Sequence, residues 1–133
     1  MEEVWDPLRK KMVALTPEEK VRQWFIGVLH SECGMPMHMM ASEVSLQYGS
    51  ELRKKAFRAD IVVWDRNLRP AVIVECKRPE VELSGDVLEQ ALRYNMVMGA
   101  PWVIITSGKA TFVWKDGRMV QALPKYEDIC QQL

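Results

Sequence analysis

The stretch that decides the fold is RADIVVWDRNLRPAVIVECK, residues 58–77. It contains two apolar, β-branched runs, IVVW and AVIV, joined by the polar segment DRNLRP. Such runs on either side of a turn segment are typical of a β-hairpin whose strands are buried on both faces. The hairpin nevertheless ends in charged side chains, with Asp60 on the first strand and Glu75 and Lys77 on the second.

We expect these three charges to lie together on one face of the sheet. The turn is centred between Asn67 and Leu68, so a symmetric antiparallel register places Asp60 opposite Glu75, with Cβ atoms about 4.5–5.5 Å apart. Lys77 shares the face of Glu75 because side chains alternate along a strand. Two carboxylates at this separation require a positive charge between them.

Two interpretations of the cluster follow. The first is a Mg²⁺ site, because this ion favours one or two carboxylate ligands and retains several waters. Lys77 is then available to steady a nucleophilic water or to stabilise charge that develops on phosphorus. The second is a structural ion network at a sheet edge, or a strand end that emerges into solvent.

The segments before the hairpin predict a helix and a strand. Thr16, Pro17 and Glu19 form a capping-box signature, and Gly34 is placed to end the helix. The sequence ASEVSLQYG, residues 41–49, alternates apolar and polar residues as a half-buried strand does. The Met-rich segment MPMHM between them is expected to fill irregular core space or to form a mobile loop. The apolar stripe of the helix consists of Val21, Trp24, Phe25, Val28 and Leu29.

The segments after the hairpin predict a second helix, which begins near Ser84 or Asp86 and runs to Gly99. PWVIITSG is then a fourth strand, and ATFVWKDGRMVQAL is a final hairpin with Asp-Gly at its turn. The tail from Tyr126 is a short helix or irregular. The inward stripe of the second helix is expected to contain Val87, Leu88, Ala91, Leu92 and Met98.

Central strands that are apolar on both faces indicate an α/β protein with a mixed sheet flanked by helices. The length of 133 residues suits a single domain, residues 1–133, with a core at about 16–115. Its three cysteines contain no CxxC pair, which fits a reducing cytoplasm. The sequence shows no signal peptide and no uninterrupted membrane-spanning segment.

Overall charge gives no indication of a polyanion partner, because 18 basic and 18 acidic residues cancel. Basic residues do cluster locally on both sides of the hairpin, where they either contact phosphates or form an ordinary solvated rim. They are Arg53, Lys54, Lys55, Arg58, Lys77, Arg78 and Arg93.

An aspartate on one strand followed by Glu-x-Lys on the next resembles the signature of the PD-(D/E)xK nuclease superfamily. The following helix contains QALRY, residues 90–94, which resembles the Gln-x-x-x-Tyr motif of its RecB-like branch. Residues 4–115, from WDPLRKK and LTPEEKVRQ to VIITSG, resemble the N-terminal nuclease domain of type I restriction enzyme restriction subunits. The sequence departs from the signature at Ala59, where the superfamily name has proline.

The resemblance implies a restriction-endonuclease-like core and a Mg²⁺- or Mn²⁺-dependent DNA endonuclease. Asp60 and Glu75 would be metal ligands and Lys77 the catalytic lysine, with the backbone carbonyl of Cys76 as a further ligand. Family members also place a first-helix glutamate near the metal; the candidates are Glu18 and Glu19, with Glu19 ranked slightly ahead. Gln90 and Tyr94 would orient DNA or the catalytic lysine, and Arg58, Arg78 and Arg93 would contact DNA.

The resemblance also implies restriction-modification subunits as partners. Three functions therefore follow as alternatives. The first is a metal-dependent DNA endonuclease. The second is a nuclease-fold module with little activity that binds DNA or docks to restriction-system partners. The third is a metal-dependent hydrolase of nucleotides or RNA.

Overall fold

Residues 2–131 are described by a computed structural model. A small two-stranded sheet, β1 (Glu3–Asp6) and β2 (Lys11–Ala14), precedes the main body. The main body contains α1 (Pro17–Ser31), β3 (Met40–Tyr48), β4 (Lys55–Trp64), β5 (Pro70–Cys76), α2 (Gly85–Asn95), β6 (Trp102–Thr106), β7 (Thr111–Lys115), β8 (Arg118–Val120) and α3 (Tyr126–Gln131). Short 3-10 turns occupy Met37–Met39 and Met96–Met98. Across residues 2–131, none of the helices combines the length and the apolar character that a membrane span requires.

The main sheet has six strands in the order β3-β4-β5-β6-β7-β8. β5 and β6 are parallel, and the other neighbouring strands are antiparallel. One face packs against α1 and α3 through a core that includes Phe25, Leu29 and Ile129. The opposite face packs against α2 through Ala91 and Leu92. The predicted α/β class with a mixed, two-sided sheet is confirmed.

The hairpin register is also confirmed where the strands pair. Ile61 faces Val74, and this register continues unchanged for two further pairs until it shifts between Val63 and Trp64. Continued by one residue towards the open end, the same register brings Asp60 opposite Glu75. The position of the two acids is therefore fixed by the pairing of the apolar residues behind them.

The start of α1 agrees with its capping signature. Thr16 Oγ1 accepts a hydrogen bond from the Glu19 N–H at 3.1 Å, and Pro17 is the first helical residue. The Glu19 carboxylate, however, accepts from Arg9 and Gln23. The side chain that would complete the capping box is thus bound by the turn between β1 and β2 and by the next turn of α1 instead.

Three expectations about the elements are wrong. The predicted elements begin with the helix α1, yet β1 and β2 pair before it around a turn in which Asp6 Oδ1 accepts the Leu8 N–H. Val87 was placed on the inward stripe of α2, but it is 42% exposed. The helix also ends at Asn95, and its predicted last turn is the 3-10 segment before Gly99. The Met-rich segment does fill core space, because Met35 is completely buried.

Candidate active site

Asp60 lies on β4 where pairing with β5 ends. Its Oδ2 accepts a hydrogen bond from the Cys76 N–H at 2.7 Å. The side chain is only 22% exposed, and this burial raises the pKa of Asp60 to about 6. The charges of Glu18 and Glu75 add to the increase, whereas the Cys76 N–H and Arg22 oppose it. The ionised carboxylate is therefore under-compensated, which is a condition that favours a bound cation.

Glu75 is held at both of its carboxylate oxygens. Lys77 Nζ lies 2.8 Å from Oε2, and Asn95 Nδ2 donates to Oε1 at 2.6 Å. The hydrogen bond to Glu75 is the main cause of a raised pKa at Lys77, with the charge of Asp60 contributing. Lys77 is consequently protonated in this arrangement, and its charge partly balances the two acids.

Asn95 is a site residue that the sequence analysis missed. It is 1% exposed and also donates to the carbonyl of Ala91 at 2.7 Å. It lies on the same helical stripe as Leu88 and Ala91, which face the core. A polar residue within an inward stripe needs a buried hydrogen-bond partner, and this was the signal that could have identified it.

Arg22 on α1 is the second residue that was missed, and it connects the helix to the site. Its side chain is 5% exposed. It donates to Glu43 Oε1 at 2.8 Å and to the Asp60 carbonyl at 3.3 Å, and its Nη1 lies 3.8 Å from Asp60 Oδ1. Burial alone would lower the pKa of Arg22, but the charges of Glu19 and Asp60 and the Glu43 hydrogen bond raise it.

The pairing of β3 with β4 is interrupted at Glu43 and Asp60. The register pairs residues on either side of them, and Glu43 has a φ of 54°, which is uncommon for a residue other than glycine. The Glu43 carboxylate accepts hydrogen bonds from Arg22 and from Arg58 at 2.7 Å. Arg22 therefore stabilises a local strand distortion at Asp60, and such distortions commonly re-aim side chains next to active sites.

The two candidate acids of α1 have different surroundings. Glu19 is buried and its carboxylate is bound by Arg9 at 2.7 Å and by Gln23 at 3.0 Å. Glu18 is partly exposed, and its charge raises the pKa of both Asp60 and Lys77. Because the Glu19 carboxylate is buried and already bound, Glu18 is the acid that is freer to approach a cation, although the sequence ranked Glu19 ahead. A metal-binding role for either stays a prediction.

Gln90 and Tyr94 both face the site from α2. They line a cleft of about 480 Å³ together with Glu75 and Lys77. Tyr94 also binds the backbone of β4, because its hydroxyl accepts a hydrogen bond from the Arg58 N–H at 3.2 Å and donates one to the Arg58 carbonyl at 3.4 Å. Its ring packs on Phe57 with 4.9 Å between centroids. Tyr94 therefore positions the strand that carries Asp60.

A Tyr94→Phe variant is expected to lose about 1 kcal/mol of stability, because it removes both bonds to Arg58 and keeps the ring contact. Urea unfolding will measure the change. Tyr48→Phe is a suitable control, since it alters a hydroxyl on the neighbouring β3. If Tyr94→Phe unfolds at the wild-type urea concentration, the hydroxyl does not anchor β4.

The three arginines proposed to contact DNA lie on the surface around the site, and each has an acidic neighbour. Arg58 binds Glu43, and Arg93 binds Glu89 at 2.6 Å. The Arg78 guanidinium is 3.9 Å from Glu80. These exposed ion pairs are weak and leave hydrogen-bond donors available, so a DNA role for the arginines remains compatible with the geometry.

The chemistry of the acidic residues fits a hard divalent cation. Within residues 2–131, His, Cys, Asp and Glu side chains form no group of three suited to a metal. Asp60 and Glu75 alone offer the one or two carboxylates that Mg²⁺ favours, with water as the remaining ligands. The Cys76 side chain is buried in the core, and burial raises the pKa of its thiol, so only its backbone carbonyl is suited to this role.

Comparison with known sequence families matches residues 17–129 to the family described as "Type I restriction enzyme R protein N terminus (HSDR_N)". This match extends over most of the chain. The chain belongs to this family. The matched range of the R protein N terminus contains Asp60, Glu75, Lys77, Arg22 and Asn95. No curated protein matches the chain.

A solved structure supports the fold of this R protein N-terminal domain. It is a fragment described as an HsdR subunit of a type I restriction enzyme from Vibrio vulnificus YJ016, with a TM-score of 0.62 and 18% sequence identity. The alignment covers 88% of this chain but 25% of that one. The chain thus spans about a quarter of the length of its structural neighbour, and the likeness concerns the fold.

Proposed function

We propose that this domain hydrolyses DNA phosphodiester bonds with Mg²⁺ or Mn²⁺, as a PD-(D/E)xK nuclease domain of a type I restriction system. The observation that carries the proposal is the arrangement at the open end of the β4–β5 hairpin, where Asp60 accepts a hydrogen bond from the Cys76 N–H and Lys77 pairs with Glu75. Membership of the R protein N-terminal family supports it.

Each residue has a distinct role in this proposal. Asp60 and Glu75, with the Cys76 carbonyl, would hold the cation. A bound cation lowers the pKa of a coordinated water and offsets negative charge on the phosphate. Lys77, protonated beside Glu75, positions the attacking water or stabilises charge on phosphorus. Asn95 keeps one Glu75 oxygen in a fixed orientation through its 2.6 Å hydrogen bond.

A second candidate function is a DNA-binding or partner-docking module with little activity of its own. One observation favours it: Lys77 is already ion-paired with Glu75 at 2.8 Å, and Arg22 lies close to Asp60. The acids are thus partly neutralised by the chain itself. In either case we propose that the domain acts with restriction-modification subunits in the cytoplasm.

The deciding experiment incubates the wild type and Lys77→Ala with supercoiled, linear and single-stranded DNA in Mg²⁺, Mn²⁺ or EDTA. We expect the wild type to cut with either metal but not with EDTA, and Lys77→Ala to lose about 10²-fold or more in rate. Lys125→Ala is the matched control, because Lys125 is an exposed lysine whose Nζ contacts the Glu32 carbonyl and not the residues of the candidate site.

The other outcomes are equally specific. DNA binding that weakens with salt, but without cleavage in any metal, supports the second function over the first. Preference for RNA or nucleotides in the same assay contradicts DNA as the substrate.

A further inference from the structure

The β3–β4 hairpin extends beyond the strand beside it. Among the described residues, β4 pairs with β5 from Ile61 to Trp64, whereas its pairing with β3 continues to Lys55. Lys55 lies roughly 17 Å along the strand from Asp60, at about 3.3–3.4 Å per residue. We call residues 44–59 the arm. Its base is at the candidate active site and its tip points away from it along β4.

The tip of the arm is cationic and carries an outward-facing leucine. Arg53, Lys54 and Lys55 follow one another and are all exposed. The nearby acid, Glu51, is exposed and lies 3.8 Å from Lys54, so this pair cancels little of the charge. Leu52 is 95% exposed. A single exposed leucine is ordinary, but cations around an apolar tip are the combination that minor-groove binding proteins use.

The arm is held at its base and folded tightly at its tip. On one side the Tyr94 hydroxyl binds the backbone of Arg58, and on the other Glu43 links Arg58 to Arg22. At the tip, a Cβ on Gly49 would lie 2.4 Å from the Arg53 carbonyl oxygen, so the chain folds closely over the glycine. A fixed arm presents its charges to a ligand with little loss of conformational entropy.

We infer that the arm grips duplex DNA about half a helical turn from the phosphodiester at the candidate active site. This inference rests on the proposed function. The length of roughly 17 Å is half of the 34–36 Å turn of the duplex. Arg53, Lys54 and Lys55 contact phosphates beside the minor groove, and Leu52 packs against a base step within it.

The charge component is tested with a triple variant, Arg53→Gln, Lys54→Gln and Lys55→Gln. Binding to a duplex of about 30 base pairs is measured over a range of salt concentrations. We expect about tenfold weaker binding or more, and a salt slope shallower by about 2–3, since each phosphate contact contributes roughly 0.9. In the matched control, Gln replaces three exposed basic residues that lie away from the arm: Arg66, Arg118 and Lys125.

The wedge component is tested with Leu52→Ala and Leu52→Met on duplexes that contain 2-aminopurine. The wild type is expected to increase the fluorescence of the probe about half a turn from the cleaved bond, because an inserted side chain unstacks the base. Leu52→Ala is expected to abolish the increase, and Leu52→Met to retain it. Circular dichroism melts confirm that each variant is folded.

The outcomes separate this inference from the proposed function. If the triple arm variant binds with wild-type affinity and salt slope, the arm is not the DNA surface. If Leu52→Ala leaves the fluorescence increase unchanged, Leu52 does not pack against a base step. DNA binding through the arm without cleavage would support this inference and contradict only the proposed nuclease activity. A wild type that binds no DNA would overturn both the inference and the proposed function.

Discussion

An Asp60→Asn variant is expected to lose metal-dependent DNA cleavage almost completely and yet to be more stable than the wild type at pH 8. Asparagine retains the shape of the side chain and can still accept the Cys76 N–H. It lacks the negative charge needed to hold a hard cation. The two effects have opposite signs because the charge that serves the site is unfavourable for the fold.

The pH dependence of this difference follows from the pKa of Asp60. Burial raises it from 3.8 to about 6 in the folded protein. Below pH 3.8 the group is protonated in both the folded and unfolded states. As the pH rises from 3.8 to about 6, the unfolded chain releases the proton first, so the free energy of unfolding decreases. Above pH 6 the total decrease is at most about 3 kcal/mol.

Urea unfolding of both proteins in EDTA, from pH 4 to pH 8, will measure this difference. The difference in the free energy of unfolding between Asp60→Asn and the wild type should be small at pH 4 and should grow until about pH 6. Asp116→Asn is the control, because Asp116 is an exposed acid at the β7–β8 turn with a φ of 50° that asparagine tolerates. A variant that cuts DNA at the wild-type rate would exclude Asp60 from the metal site.

Replacement of Arg22 by methionine is expected to destabilise the domain by about 3 kcal/mol, because it removes a buried guanidinium that Glu19, Glu43 and the Asp60 carbonyl share. Glu19 would lose a guanidinium 3.2 Å away, and Glu43 would lose a 2.8 Å hydrogen bond. The Asp60 carbonyl would lose its donor as well. Methionine has a similar length and fills much of the same space, so the effect reports mainly on charge and hydrogen bonding.

Urea unfolding of Arg22→Met, Arg22→Lys and Lys20→Met will test this expectation. Lysine should recover part of the stability, because it restores the charge but not the planar set of donors. Lys20 is exposed on the same helix, so Lys20→Met should change stability little. A loss below about 1 kcal/mol in Arg22→Met would show that the acids around it tolerate its absence.

The hairpin and its charges could be predicted because each depends on local rules. The turn between the two β-branched runs predicts a symmetric register, and that register brings Asp60 to Glu75. The capping residues of α1 likewise act within one turn. The β1–β2 hairpin was missed because its strands are short and mostly exposed, so the apolar alternation that marks a strand is weak.

The sequence by itself determined which residues form the β4–β5 hairpin, where α1 begins and which acids and lysine lie together, since alternation and turn length act over a few residues. The tertiary structure alone decided how those charges are balanced. Arg22 reaches Asp60 and Asn95 reaches Glu75 from helices that pack on opposite faces of the sheet. Burial then sets the pKa of Asp60, because removal from water depends on what packs around a side chain and not on its neighbours in the chain.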